Sequence, residues 1–157
     1  MNNNDDLEYA GFWIRTWAYF IDGLLYLLVF IPIFVGVYWA DIVESPTTFR
    51  PGPIYYVLSY FIPAFIWVMF WRYQSATPGK MAVSLKIVDA VTGDAPSVSQ
   101  CIGRYLGYLV SGIPLLLGFL WVGLDRRKQS WHDKLAGTVV VRKKRRGPET
   151  VKFNDHV

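Results

Sequence analysis

Apolar residues dominate three stretches of this chain, and between them the pattern changes period. The first stretch runs from Phe12 to Tyr38 and the second from Ile54 to Trp71, each flanked by aromatic residues. About 20 apolar residues at about 1.5 Å rise cross a hydrocarbon core, so 12–38 and 54–71 are expected to be transmembrane helices. Pro32 is expected to kink the first, and Pro63 interrupts the second. Between them, Pro46, Pro51, Gly52 and Pro53 mark a loop. Residues 80–100 have a different texture. Val83, Leu85 and Ile87 alternate at period 2 and Thr92–Asp94 is a turn signal, which predicts a strand near Val83–Ala90 followed by an extended return. Three consecutive valines make Gly137 to Lys143 a second strand candidate.

The third apolar segment, 102–124, has its densest part from Tyr105 to Leu124 and is broken by Ser111-Gly112-Ile113-Pro114. Gly103, Gly107 and Ser111 form a row of small residues suited to close helix packing. Its topology is contested by charge. The first loop holds only Arg50, the second holds Arg72, Lys80, Lys86 and Arg104, and ten of the sixteen Lys and Arg follow Leu124. The positive-inside rule places the second loop and the tail, 125–157, both in the cytoplasm, whereas a single third span would separate them. Either the segment is a re-entrant hairpin or one basic region faces out. Pairing of the two strand candidates would require the hairpin. An irregular break at membrane depth also needs protein or a wet cavity around it. The expected fold is therefore an α-helical integral membrane protein with two full spans, a Gly/Pro-broken third segment and a small cytoplasmic β-element, in one domain over 1–157.

Composition agrees: 53% of residues are hydrophobic, 17% aromatic and only 18% charged, for a net charge of +4. One cysteine, Cys101, excludes an intrachain disulfide and a cysteine-rich zinc cluster. The polar, acidic start, "MNNNDDLEYAG", lacks a basic n-region and a cleavage site, so the first helix is expected to be a permanent span.

The polar residues inside the apolar runs carry the candidate chemistry. At about 100° per residue, Arg15, Tyr19, Asp22 and Tyr26 share one helical stripe. Asp22 sits roughly 10 Å deeper than Arg15, too far for an easy direct pair. Arg15 can snorkel towards the headgroups; Asp22 cannot, and an aspartate at mid-helix costs about 2.5–3.5 kcal/mol. It is either a structural contact or an ion or proton site. His132 and Asp133 are sequence neighbours and are not expected to face each other as a catalytic dyad. Asp133 is expected to cap or tether the Lys134–Gly137 turn, or to meet Arg15 at the surface. "TPGK", Thr77 to Lys80, lacks the glycine and Ser/Thr of a phosphate loop; it is expected as a surface turn with Lys80 near lipid headgroups. The basic run Arg142, Lys143, Lys144, Arg145 and Arg146 is expected to contact anionic lipid rather than nucleic acid, at about 1 kcal/mol per residue.

An arginine opening the first membrane helix, an aspartate within it, "TPGK" after the second helix and "WHDKLAGT" before a valine strand together resemble the RDD family of small bacterial membrane proteins, over about Phe12 to Arg142. The resemblance implies Arg15, Asp22 and Asp133 as the named arginine–aspartate–aspartate trio, with Asp125 the weaker claimant to the last place. It also implies a bacterial inner (plasma) membrane and a transport role, including sodium/proton antiport. Two readings follow. In one, an oligomer moves a proton, cation or small solute through Asp22. In the other, the trio stabilises a structural or partner-binding module, as a homo-oligomer or with another membrane protein. Both termini are expected in the cytoplasm. No metal cluster, cofactor motif or nucleophile with a base supports an enzyme.

Overall fold

The computed structural model describes residues 6–44, 52–114 and 116–144. A short strand, β1 (Leu7–Tyr9), leads into helix α1 (Phe12–Glu44). The chain returns through α2 (Pro53–Tyr56), a π-helical stretch at Val57–Phe61 and α3 (Ile62–Gln74). A one-turn helix, α4 (Pro78–Ala82), and strand β2 (Leu85–Asp89) follow. Then come α5 (Val98–Gly112), α6 (Leu117–Leu120) with a 3-10 turn at Trp121–Gly123, α7 (Trp131–Ala136) and strand β3 (Thr138–Lys143). Arg145 and Arg146, and Pro46 and Pro51 of the first loop, lie outside the described residues.

Phe12–Trp39 and Pro53–Ala82 are long and apolar enough to cross a membrane. Their outer faces are unpartnered and apolar, with Leu24, Leu28, Phe61 and Phe65 exposed. Pro63 explains the π stretch. Its ring has no N–H and crowds the carbonyl one turn back, and a wider turn takes up that misfit without ending the helix.

The three strands form one antiparallel sheet in the order β1–β3–β2. Leu85 pairs with Arg142 and Asp89 with Thr138, so the two strand candidates read from the sequence do pair. This decides the third apolar segment. Strand β2 enters α5 and β3 leaves α7, so both ends of the segment lie at the same sheet. Helix α5 and the α6 turn are bent by 111° to one another, and the segment is a hairpin rather than a third span. The extended return expected after Thr92–Asp94 is instead the lead-in to α5. Ser97 accepts from the Gln100 N–H while the Gln100 side chain accepts from the Ser97 N–H. This reciprocal cap starts the helix at Val98, before the apolar run begins.

β1 is the element that apolar periodicity did not indicate. Its three residues pair along β3 from Leu7–Lys143 to Tyr9–Val141, and Glu8 holds Arg142 across the strands at 2.5 Å. The core lies where the sheet meets the helices: Leu85, Ile87 and Val140 pack with Ala10, Ala18, Trp71 and Cys101.

Candidate functional site

Beside this apolar core lies a second, polar one. Arg15, in the first turns of α1, is buried and does not snorkel. Its Nε donates to the Ala10 carbonyl at 3.0 Å, its Nη2 to the Lys128 carbonyl at 2.6 Å and its Nη1 to Asp133 Oδ2 at 2.5 Å. Arg104 of α5 pairs with the other carboxylate oxygen and donates to Thr138 Oγ1 at 2.7 Å. Asp133 is thus held between two guanidiniums with no exposed surface. It also opens α7. The Ser130 N–H and hydroxyl both donate to Oδ2, at 3.0 and 2.7 Å, so it tethers the start of α7 and not the Lys134–Gly137 turn. Burial alone would raise the Asp133 pKa; Arg104 and Arg15 override it and hold the carboxyl well below the usual range.

Asp22, deeper on α1, has a different partner. Thr77 Oγ1 donates to Oδ2 at 2.5 Å and the Gly79 N–H donates to Oδ1 at 2.6 Å. Thr77 is also the N-cap of α4, accepting from the Lys80 N–H. The "TPGK" turn is therefore a capped helix start clamped onto a membrane-depth carboxylate. Gly79 permits the clamp, because a Cβ there would lie 2.3 Å from the Ala18 carbonyl oxygen and 2.7 Å from Asp22 Cγ. Gly107 plays a similar part on α5, where a Cβ would lie 2.9 Å from His132 Cα. The expected small-residue row is thus used at Gly107 and Ser111, whereas Gly103 faces open space.

Lys80 overturns its expectation. It is fully buried and makes no headgroup contact; its Nζ lies 4.4 Å over the Tyr19 ring. The reason is the clamp: with Gly79 pressed on α1, the next side chain points inward. Lys143 and Lys144 at the end of β3 remain exposed, and Arg142 is paired with Glu8.

His132 is no dyad partner of Asp133, since Nε2 stands 3.8 Å from Oδ1, beyond a hydrogen bond. Its partners fix its charge. The Ser130 hydroxyl gives its proton to Asp133, so its oxygen accepts from Nε2–H at 2.8 Å. Ser111 Oγ accepts the His132 backbone N–H at 3.1 Å and faces Nδ1 at 3.2 Å, so its proton goes to Nδ1. Every partner is satisfied by a neutral ring, stacked 4.1 Å from Tyr108. Burial drives the His132 pKa well below its ordinary value; Asp133 opposes, while Arg104, Lys80 and Arg15 add to the lowering. The unfolded chain takes up this proton near pH 6.5 and the folded one does not. Stability should therefore fall as pH drops below about 6.5, by about 1.4 kcal/mol per pH unit for one proton. Asp133 acts in the same direction only below about pH 4, its unfolded value. Thermal melts from pH 8 to 5 should show the decline, and His132→Gln should melt lower but with a flatter profile; an unchanged slope in that variant would remove His132 as its source.

The predicted stripe divides. Tyr19 joins the polar core, its hydroxyl 3.3 Å from that of Tyr108 and 3.5 Å from His132 Nε2. Tyr26 instead stacks on Phe30 at 4.5 Å and lines an aromatic cavity of about 640 Å³ between α1, α3 and α5. Asp22 borders a smaller cavity of about 160 Å³ with Tyr26 and Thr77. Arg104, Thr77, Ser111 and Ser130 were not singled out as site residues. Thr77 and Ser130 had a readable signal, a hydroxyl residue one position before a helix start; Arg104 looked like an ordinary topology charge. No group of metal-ligating side chains gathers among the described residues.

The description "RDD family" belongs to the family model that matches residues 9–137. A Bacillus subtilis (strain 168) relative, "Uncharacterized protein YxaI", is 35% identical over 149 residues, covering 85% of this chain and 97% of its own. A second from the same organism, "Uncharacterized membrane protein YteJ", is 29% identical over 146 residues, covering 87% and 82%. No solved structure matches.

Proposed function

The chain belongs to the RDD family, and from that premise we propose that it is a multi-pass membrane module for binding, in which Arg15, Asp22 and Asp133 are architectural. The observation that carries this reading is that both carboxylates of the trio are held by fixed protein groups, by hydrogen bonds at Asp22 and at Asp133 Oδ2 and by the Arg104 ion pair at Asp133 Oδ1. Asp22 binds α4 through Thr77 and Gly79, and Asp133 joins α1, α5 and α7 through Arg15, Arg104 and Ser130. A site that exchanges ions or protons with a pathway needs a freer carboxylate. The name of YteJ and the bacterial source of the relatives support a bacterial inner membrane. The basic residues around the sheet support a cytoplasmic sheet and cytoplasmic termini, with the exposed Lys143 and Lys144 available to anionic headgroups. The module works by binding, as a homo-oligomer or with a membrane partner, and not by catalysis.

Transport through Asp22 is the second reading, favoured by the small cavity that Asp22 borders. One substitution separates the two. Asp22→Asn keeps one acceptor oxygen but turns an NH2 towards the Gly79 N–H or the Thr77 hydroxyl. If the role is architectural, the variant should melt lower by about 1–3 kcal/mol, the cost of an unsatisfied buried group. A variant with native stability that has lost proton or sodium flux in proteoliposomes would establish transport instead.

A further inference from the structure

The buried charges do not balance. Among the described residues the buried ionisable groups are Arg15, Lys80 and Arg104 against Asp22 and Asp133, with His132 neutral by its hydrogen bonds. Three cations less two anions leave an excess of one positive charge. The excess is not spread over satisfied donors. Lys80 Nζ, Arg104 Nε and Arg104 Nη2 are buried without a hydrogen-bond partner, as is Asp133 Oδ1, which holds Arg104 by ion pair alone. Burying an unpaired cation is costly unless an anion answers it.

The large cavity lies against these groups. Lys80 sits over the Tyr19 ring and Arg104 5.6 Å over the Trp71 ring, and both rings belong to the cavity wall. The cations therefore stand directly behind that wall. One end of the cavity is polar, bordered by Arg15, Ser130 and the Tyr19–Tyr108 pair. Beyond Tyr19 the wall is mostly apolar and runs along α1 to Tyr26, about 10 Å at helical rise. Its far end is closed by Ser59 and Tyr60 on the π-helical stretch. An apolar wall leading from a polar, cation-backed end describes the complement of the upper part of one acyl chain beneath an acidic head.

Resting on the binding-module reading, we propose that this cavity holds one anionic phospholipid, drawn from the leaflet beside the sheet. One acyl chain lies along the aromatic wall, and the phosphate is at the Arg15–Ser130 end. The head accepts from the Tyr19–Tyr108 hydroxyl pair and answers the surplus charge of Lys80 and Arg104 across the Tyr19 and Trp71 rings, without touching either cation. An anion in this low-dielectric setting interacts more strongly than one at the exposed strand end.

The test uses the full chain in mild detergent, offered equal amounts of phosphatidylglycerol and phosphatidylcholine with identical acyl chains, and read by native mass spectrometry. One phosphatidylglycerol per chain should be retained over phosphatidylcholine by about fivefold or more, the effect of at least one charge contact. Ala64→Phe, which fills the cavity from α3, should abolish retention of either lipid. Lys80→Gln should keep one lipid but bring the ratio close to unity. Equal retention of both lipids by the native chain, full retention by Ala64→Phe, or an unchanged ratio in Lys80→Gln at native stability would each overturn the proposal. If Lys80→Gln does not fold, Ala64→Phe decides. Melting temperatures keep the two readings apart. A native-like Asp22→Asn bears against the architectural trio, whereas a lipid result in stable Ala64→Phe bears only on the occupant.

Discussion

Asp133→Asn should yield little folded protein, with a loss of about 3–5 kcal/mol. The substitution deletes the only carboxylate between Arg15 and Arg104, both buried, and leaves two guanidiniums facing each other in a site water does not reach. It also weakens the cap that starts α7, worth about 1 kcal/mol more. Against a total stability of about 5–15 kcal/mol, that is enough to unfold a marginal protein. The check is monodisperse yield and the melting temperature in detergent. A variant that melts within a degree or two of the native chain would mean the carboxylate is not what joins these elements. Arg15→Met combined with Asp133→Leu should do better than Asp133→Asn alone, because removing both partners leaves less uncompensated charge.

Gly79→Ala is the second large effect, although it adds a single methyl. The new Cβ would fall within 3 Å of backbone atoms of Ala18 and Asp22, and a helix backbone cannot swing aside as a side chain can. The α4 turn must lift off α1, which lengthens the Gly79 N–H bond to Asp22 and pulls Thr77 with it. Overpacking of this kind costs about 1–3 kcal/mol, and the weakened bonds to the buried carboxylate add about 1–3 kcal/mol. Because the damage passes through the same contact, Gly79→Ala and Asp22→Asn should be strongly non-additive in a double-mutant cycle of melting free energies. Strict additivity would show that the glycine serves some other packing need.

The spans were legible because a membrane crossing demands a long apolar run and little else. Strands β2 and β3 were legible from their alternation and valines, and the hairpin from the conflict between one more span and two basic regions on one side. The trio was legible in part: a charge at membrane depth announces itself by its cost. Its partners were not. Thr77 and Gly79 meet Asp22 only because α3 ends and α4 turns back, a contact 55 and 57 residues distant in sequence, and no local period records it. Lys80 was misread because a lysine beside a membrane helix usually finds water; here its neighbour's missing side chain draws it inward. β1 was illegible for a related reason. Leu7, Glu8 and Tyr9 are too few to set a period of their own and take their strand conformation from β3.

The sheet also has a consequence for how the protein is made. Its central strand is the last element of the described chain to leave the ribosome, and Arg15 is joined to Asp133 across 118 residues. At about 5–20 residues per second, that interval lasts on the order of ten seconds. During it α1 has already been synthesised, with Asp22 lacking Thr77 and Gly79 for about the first half and Arg15 lacking Asp133 throughout. The start of the nascent helix must therefore be sheltered by the insertion machinery or held in the interface until Asp133 has been made. A chain stopped before Thr138 would carry both flanking strands and nothing to join them, which makes the C-terminal end the step that commits the whole module to its fold.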